Sequence, residues 1–275
     1  MSRAGRSSGR GTGRRPRPTA DLGGPIRTAA TAFGVGVLGF VVGLVLTVVV
    51  INAAVVGGLA LEGLSGAATL LLLVVPLQGL GFPLVVLGYL RWRGLPFSYL
   101  RAGLPSLRDM GVALAALVAV FVLVNVSVAA IDVLGLEAAE RSDAEFLTQP
   151  NVALAGIPLM LLVVGPGEEL LFRGVIQTTL AEEFATPTAI VLASAAFAPA
   201  HIGAYVGSGA SPTAVAVSIS VLFVPSLVFG AVYEYTDNLV VPALSHGLYN
   251  ATLLAVVVFG PAAGAGTGGE TALLP

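Results

Sequence analysis

Seven stretches of this sequence are predominantly apolar for twenty residues or more, near 29–56, 66–90, 110–134, 152–180, 186–206, 212–235 and 238–260. About 20 such residues cross the hydrocarbon core of a bilayer as a helix, where each backbone N–H and C=O must be satisfied within the protein. The pattern predicts an all-α, polytopic membrane bundle of about seven transmembrane helices. A mean hydropathy of +0.94, with 56% hydrophobic and only 10% charged residues, excludes burial of this apolar surface in one soluble core. The fourth stretch is the least regular. Gly165-Pro166-Gly167 interrupts it, and a kink or a broken turn is tolerable there, because neighbouring helices can re-satisfy the backbone groups that a membrane proline frees.

Charge sets the expected orientation. All thirteen basic residues are arginine, and lysine and cysteine are absent, which rules out disulfides and cysteine-based nucleophiles or metal sites. Residues 1–27 carry seven arginines against Asp21. A stretch so basic and so poor in apolar residues predicts a disordered arm over 1–28, whose main use is as a positive-inside signal. Arg91, Arg93, Arg101 and Arg108 fall two spans later, so both segments are expected on the cytoplasmic side of a cell membrane. The connection 135–150 holds Glu137, Glu140, Asp143 and Glu145 with only Arg141, and is expected on the opposite side. Residues 29–260 are expected to form one helical domain, and the Gly/Ala-rich residues 261–275 a disordered tail. The lipid bilayer is an expected partner and nucleic acid is not.

Function should lie where polarity enters the apolar stretches. Glu168, Glu169 and Arg173 fall in the fourth, His201 in the fifth, and His246 with Asn250 in the seventh. Ionisable groups in hydrocarbon are costly, face the bundle interior, and mark ion paths, proton relays or catalytic sites. Residues four apart share a helix face, while adjacent ones differ by about 100°. Arg173 can therefore neutralise Glu169, leaving Glu168 to act in a cavity. Phe197 and His201 share a face, as do His246 and Asn250. From the residues alone, two chemistries stay open. Glu168, His201 and His246 could hold a divalent metal such as zinc with an open water position. Alternatively, Glu168 and His201 could activate water directly while His246 and Asn250 stabilise an oxyanion. A proton-coupled transporter would also place such groups mid-membrane, but the sequence shows no internal repeat. A non-catalytic scaffold or immunity-type protein is the third alternative.

Glu168-Glu169-Leu170-Leu171-Phe172-Arg173, Phe197-Ala198-Pro199-Ala200-His201 and His246-Gly247-Leu248-Tyr249-Asn250 resemble the three ordered motifs EExxxR, FxxxH and HxxxN of the CPBP (Abi) intramembrane protease family. That family includes the CAAX prenyl endopeptidases. The resemblance covers roughly 152–255. It implies a membrane-embedded endopeptidase that opens towards the cytoplasm and acts on a membrane-associated, in some relatives prenylated, protein or peptide. It further implies Glu168 as the catalytic carboxylate acting with His201 on water, Glu169 and Arg173 as its supporting pair, and His246 with Asn250 as stabilisers of the intermediate. Phe197 would line the substrate pocket. The resemblance leaves metalloprotease and glutamate-protease chemistry both open. The lack of a contiguous HExxH and the presence of an amide at 250 favour the latter.

Overall fold

The computed structural model describes residues 22–260; the expected arm (1–28, apart from its last seven residues) and the tail (261–275) lie outside them. Seven helices are long and apolar enough to span a bilayer. We label them α1 (Pro25–Val56), α2 (Gly66–Arg93), α3 (Leu107–Val133), α4 (Pro150–Leu180), α5 (Thr186–Tyr205), α6 (Pro212–Thr236) and α7 (Val240–Phe259). No strand occurs among the described residues. The chain is a multi-pass membrane protein with an all-α polytopic bundle.

Local chemistry explains the boundaries. Pro25, Pro150 and Pro212 stand in the first turns of their helices, where a missing N–H costs nothing. Ser65 and Ser211 accept from the N3 amides of α2 and α6. Ser106 and Asp109 form a reciprocal capping box at α3. Gly94 ends α2 in the left-handed conformation, with φ 64°.

Outward faces carry large exposed aliphatics in mid-helix, among them Val37, Val41 and Leu44 of α1 and Leu114, Val118 and Val122 of α3. Such stripes are stable against hydrocarbon rather than water. The helices bearing the sequence motifs are the inner ones. In their most apolar windows, α7 is 56% and α4 44% buried within the protein, against 17% for α3. α7 packs against α4, α3 and α6, while α1 and α2 close the other side of α4.

Three stretches depart from α geometry. α2 is a π-helix over Val75–Gly81, α4 over Met160–Val164 and again over Leu170–Gln177. The expected interruption at Gly165-Pro166-Gly167 is not one, because Gly165–Glu169 is α-helical between the two widened stretches. The Gly165 N–H reaches back five residues to the Met160 carbonyl, so the chain approaches the proline in a turn already wider than α. The helix passes through without breaking.

The arginines between α2 and α3 do more than bias orientation. Arg93 is wholly buried and donates to Tyr89 Oη (2.6 Å) and Glu182 Oε2 (2.8 Å), and Tyr99 donates to Glu182 Oε1 (2.9 Å). Arg101, in the left-handed region at φ 51°, lies over the Tyr233 ring and pairs with Glu234 (2.9 Å) and Asp237 (3.0 Å). Burial opposes the Arg101 charge, but the hydrogen bonds it donates to Glu234 outweigh that and hold the guanidinium pKa above its ordinary value. This segment is thereby clamped onto the ends of α4 and α6.

Candidate active site

Glu168 and Glu169 sit in the short α-helical stretch between the two π stretches of α4, at a place where neighbouring backbones come unusually close. A Cβ on Gly165 would lie 2.7 Å from the Gly247 nitrogen of α7, and one on Gly167 would lie 2.9 Å from the Gln78 carbonyl oxygen of α2. Neither contact tolerates a side chain, so these two glycines let α7 and α2 reach the carboxylates.

The adjacent glutamates face different partners. Glu169 is fully buried; its Oε2 stands 3.0 Å from Arg173 Nε one turn along, and its Oε1 accepts from His246 Nδ1 at 2.8 Å. The Arg173 contact is an ion pair without hydrogen-bond alignment, and Arg173 Nη2 donates instead to Ser226 Oγ of α6 (3.0 Å). Glu168 turns the other way. Its Oε1 accepts from Gln78 Nε2 at 2.9 Å, while its Oε2 has no hydrogen-bond partner among the described residues. That free oxygen faces both imidazoles, 3.8 Å from His246 Nε2 and 4.0 Å from His201 Nε2.

Each histidine has one nitrogen committed. His201 Nδ1 lies 3.1 Å from the Phe197 carbonyl oxygen; a carbonyl only accepts, so Nδ1 carries the hydrogen and the neutral ring turns its Nε2 lone pair to Glu168. His246 donates through Nδ1 to Glu169 in the same way. Aromatic walls fix the ring planes. Phe229 stacks on His246 at 4.8 Å and 18°, while Phe197 contacts His201 (4.7 Å), His246 (5.8 Å) and the Arg173 guanidinium (5.5 Å). Phe197, expected to line a substrate pocket, is only 3% exposed and acts on the site through these contacts. His201 is the most exposed member, with a side chain 19% accessible against 5% for Glu168 and His246.

The motif residues of three separate helices thus converge. Asn250 is buried one turn beyond His246 but makes no hydrogen bond to the described members of the site. Three contributors were not anticipated from sequence: Gln78, Ser226 and Phe229. Gln78 left a trace, as the single carboxamide within the apolar stretch 66–90. A serine and a phenylalanine in an apolar helix leave none.

Residues 150–252 match the family model described as Type II CAAX prenyl endopeptidase Rce1-like. These residues form an Rce1-like domain. It spans α4 to α7 and holds every member of the site except Gln78, consistent with the CPBP/CAAX protease family. The Rce1-like domain supports a CAAX-type intramembrane endopeptidase in general. No curated protein and no solved structure gives a significant match to the chain.

Donor type alone would suit a divalent metal, since each imidazole turns a free Nε2 to a carboxylate oxygen while its Nδ1 is held by an acceptor. Spacing does not. A tetrahedral site with bonds of about 2.0–2.1 Å sets ligand atoms roughly 3.3–3.4 Å apart, whereas Glu168 stands 3.8 and 4.0 Å from the two nitrogens. No group of three His, Asp or Glu side chains among the described residues is placed to hold a metal ion. As arranged, Glu168, His201 and His246 do not fit one.

Proposed function

We propose that the protein is a glutamate-dependent intramembrane endopeptidase that hydrolyses a peptide bond near the C-terminus of a membrane-associated, prenylated protein or peptide. The observation that carries this proposal is the unpartnered Glu168 Oε2 beside two imidazole nitrogens whose other ring nitrogens are already committed.

A water molecule placed against Glu168 Oε2 and His201 Nε2 donates one hydrogen to each, which directs its lone pair at a peptide carbonyl carbon. As the C–O bond forms, Glu168 takes the water's proton and the carbonyl electron pair moves to oxygen. Two carboxylates and one guanidinium leave the buried set one negative charge in excess. A proton on His246 Nε2 balances that charge and supplies a donor to the oxyanion, with the Asn250 amide one turn along as a second. The Glu169 carboxylate holds His246 in this orientation through Nδ1, and the Arg173 guanidinium stands beside Glu169 as its counter-charge in the apolar interior. Collapse of the intermediate breaks the C–N bond, and Glu168 returns its proton to the departing amine. The arginines of the N-terminal segment and the α2–α3 connection place both on the cytoplasmic side of the cell membrane in this proposal.

The test compares protein termini in membranes of cells carrying the wild type and Glu168→Gln at matched expression, alongside cleavage of an internally quenched farnesylated CAAX peptide by purified protein. New termini that require Glu168, together with peptide cleavage lost by at least about a thousandfold in the variant, are the expected result. Identical sets of termini and undiminished cleavage would overturn the role of Glu168.

A further inference from the structure

The second glutamate oxygen brings α2 into the site. α2 lies outside the residues that match the Rce1-like family model, yet its Gln78 makes the shortest contact to Glu168, 2.9 Å from Nε2 to Oε1. Two structural devices aim it there. Gln78 lies in the π stretch Val75–Gly81, whose wide turn follows from Pro76 at its start. Gly167, next to Glu168, lets the Gln78 backbone approach to a distance that any side chain would prevent. A lone carboxamide delivered so closely to one carboxylate oxygen is costly to bury unless both its ends are used.

Only one end is used by the protein. Gln78 Oε1 is sealed from solvent and has no hydrogen-bond partner among the described residues. On the reading of Glu168 given above, we infer that Gln78 is a positioning residue for Glu168: Nε2 pins Oε1 so that Oε2 is the oxygen facing the water and imidazoles. The hydrogen bond matters because a carboxylate on two rotatable carbons, with one oxygen free, otherwise presents either oxygen at varying angles. Fixing one removes that freedom before the reaction begins.

Two substitutions test this role, measured on full-length protein in proteoliposomes. The substrate is the farnesylated CAAX peptide, or the peptide identified from the membrane termini if that is cleaved instead. Gln78→Met keeps the length and removes donor and acceptor. Gln78→Glu keeps an acceptor oxygen but turns the donor into a group that repels Glu168. We expect kcat to fall at least about tenfold in both variants with KM within about twofold of wild type. Unchanged kcat in Gln78→Met, with Glu168→Gln inactive, overturns the positioning role. Retained activity in Glu168→Gln instead sinks the reading of Glu168 on which the inference rests. A merely structural Gln78 would lower the thermal midpoint of both variants while leaving kcat and KM of the folded protein alone, and melting curves on the same samples distinguish that case.

Discussion

Removing the guanidinium of Arg173 tests whether the interior of the site is an electrostatic unit. Arg173 and Glu169 are both fully buried, 3.0 Å apart, and the guanidinium also bonds Ser226 and faces the Phe197 ring. In Arg173→Met the aliphatic stem is kept, but the carboxylate loses its compensating charge in an apolar interior. Breaking a buried pair from one side costs about 3–5 kcal/mol. The pair lacks hydrogen-bond alignment, and His246 still donates to Glu169, so the lower end applies. At about 2–4 °C per kcal/mol for a chain of this size, 3 kcal/mol lowers the thermal midpoint by roughly 6–12 °C. The assay is loss of helical circular dichroism at 222 nm on heating in one detergent. Adding Glu169→Gln removes the orphaned charge and leaves an amide oxygen for His246 Nδ1–H, so Arg173→Met/Glu169→Gln should recover at least half of the loss. A single variant that melts within 2 °C of wild type, or a double variant no better than the single, would refute the electrostatic account.

The approach of α2 to α4 gives a second prediction. Gly167→Ala places a Cβ 2.9 Å from the Gln78 carbonyl oxygen; overpacking of this kind costs about 1–3 kcal/mol, and cleavage should fall more than the midpoint does, because the shift is felt at Glu168. Normal turnover in a folded Gly167→Ala would show that the close approach is dispensable. Chelation is the third. Dialysis against EDTA and 1,10-phenanthroline should leave peptide cleavage within about twofold of the untreated rate, given the 3.8 and 4.0 Å separations around Glu168, and a loss that zinc restores would mean the three side chains close on a metal.

The seven spans were legible because hydrocarbon imposes a length and an apolarity that few other environments demand, and their ends agree with the structure to within four residues. The pairing of Glu169 with Arg173, and the opposite facing of Glu168, followed from helical periodicity alone. The engagement of Glu169 by His246 did not follow, since nothing in a single helix states which residue of another will reach it. Gly165-Pro166-Gly167 read as a break because its composition is that of a turn. The widened turns around it change the local period by one residue, which no apolar pattern of this uniformity records. Arg93 and Arg101 read as topology signals because exposure is the usual fate of an arginine in a loop. Their partners Glu182 and Glu234 lie about 90 and 130 residues away, beyond any local inference.

The widened turns of α4 have a consequence for how such a helix can change. A π-turn is an α-turn that has absorbed one extra residue, and each residue contributes about 100° of rotation and 1.5 Å of rise. Because one stretch precedes Glu168-Glu169 and another follows, the azimuth of the two carboxylates is set independently of both the N-terminal half of α4 and the half bearing Gln177. A single deletion within 160–164 would let the backbone relax to ordinary α geometry while swinging both glutamates a quarter-turn or more away from His246. Better local helix and loss of the constellation would then arrive in the same event, so chain length within α4 is as much a determinant of the site as the identity of its side chains.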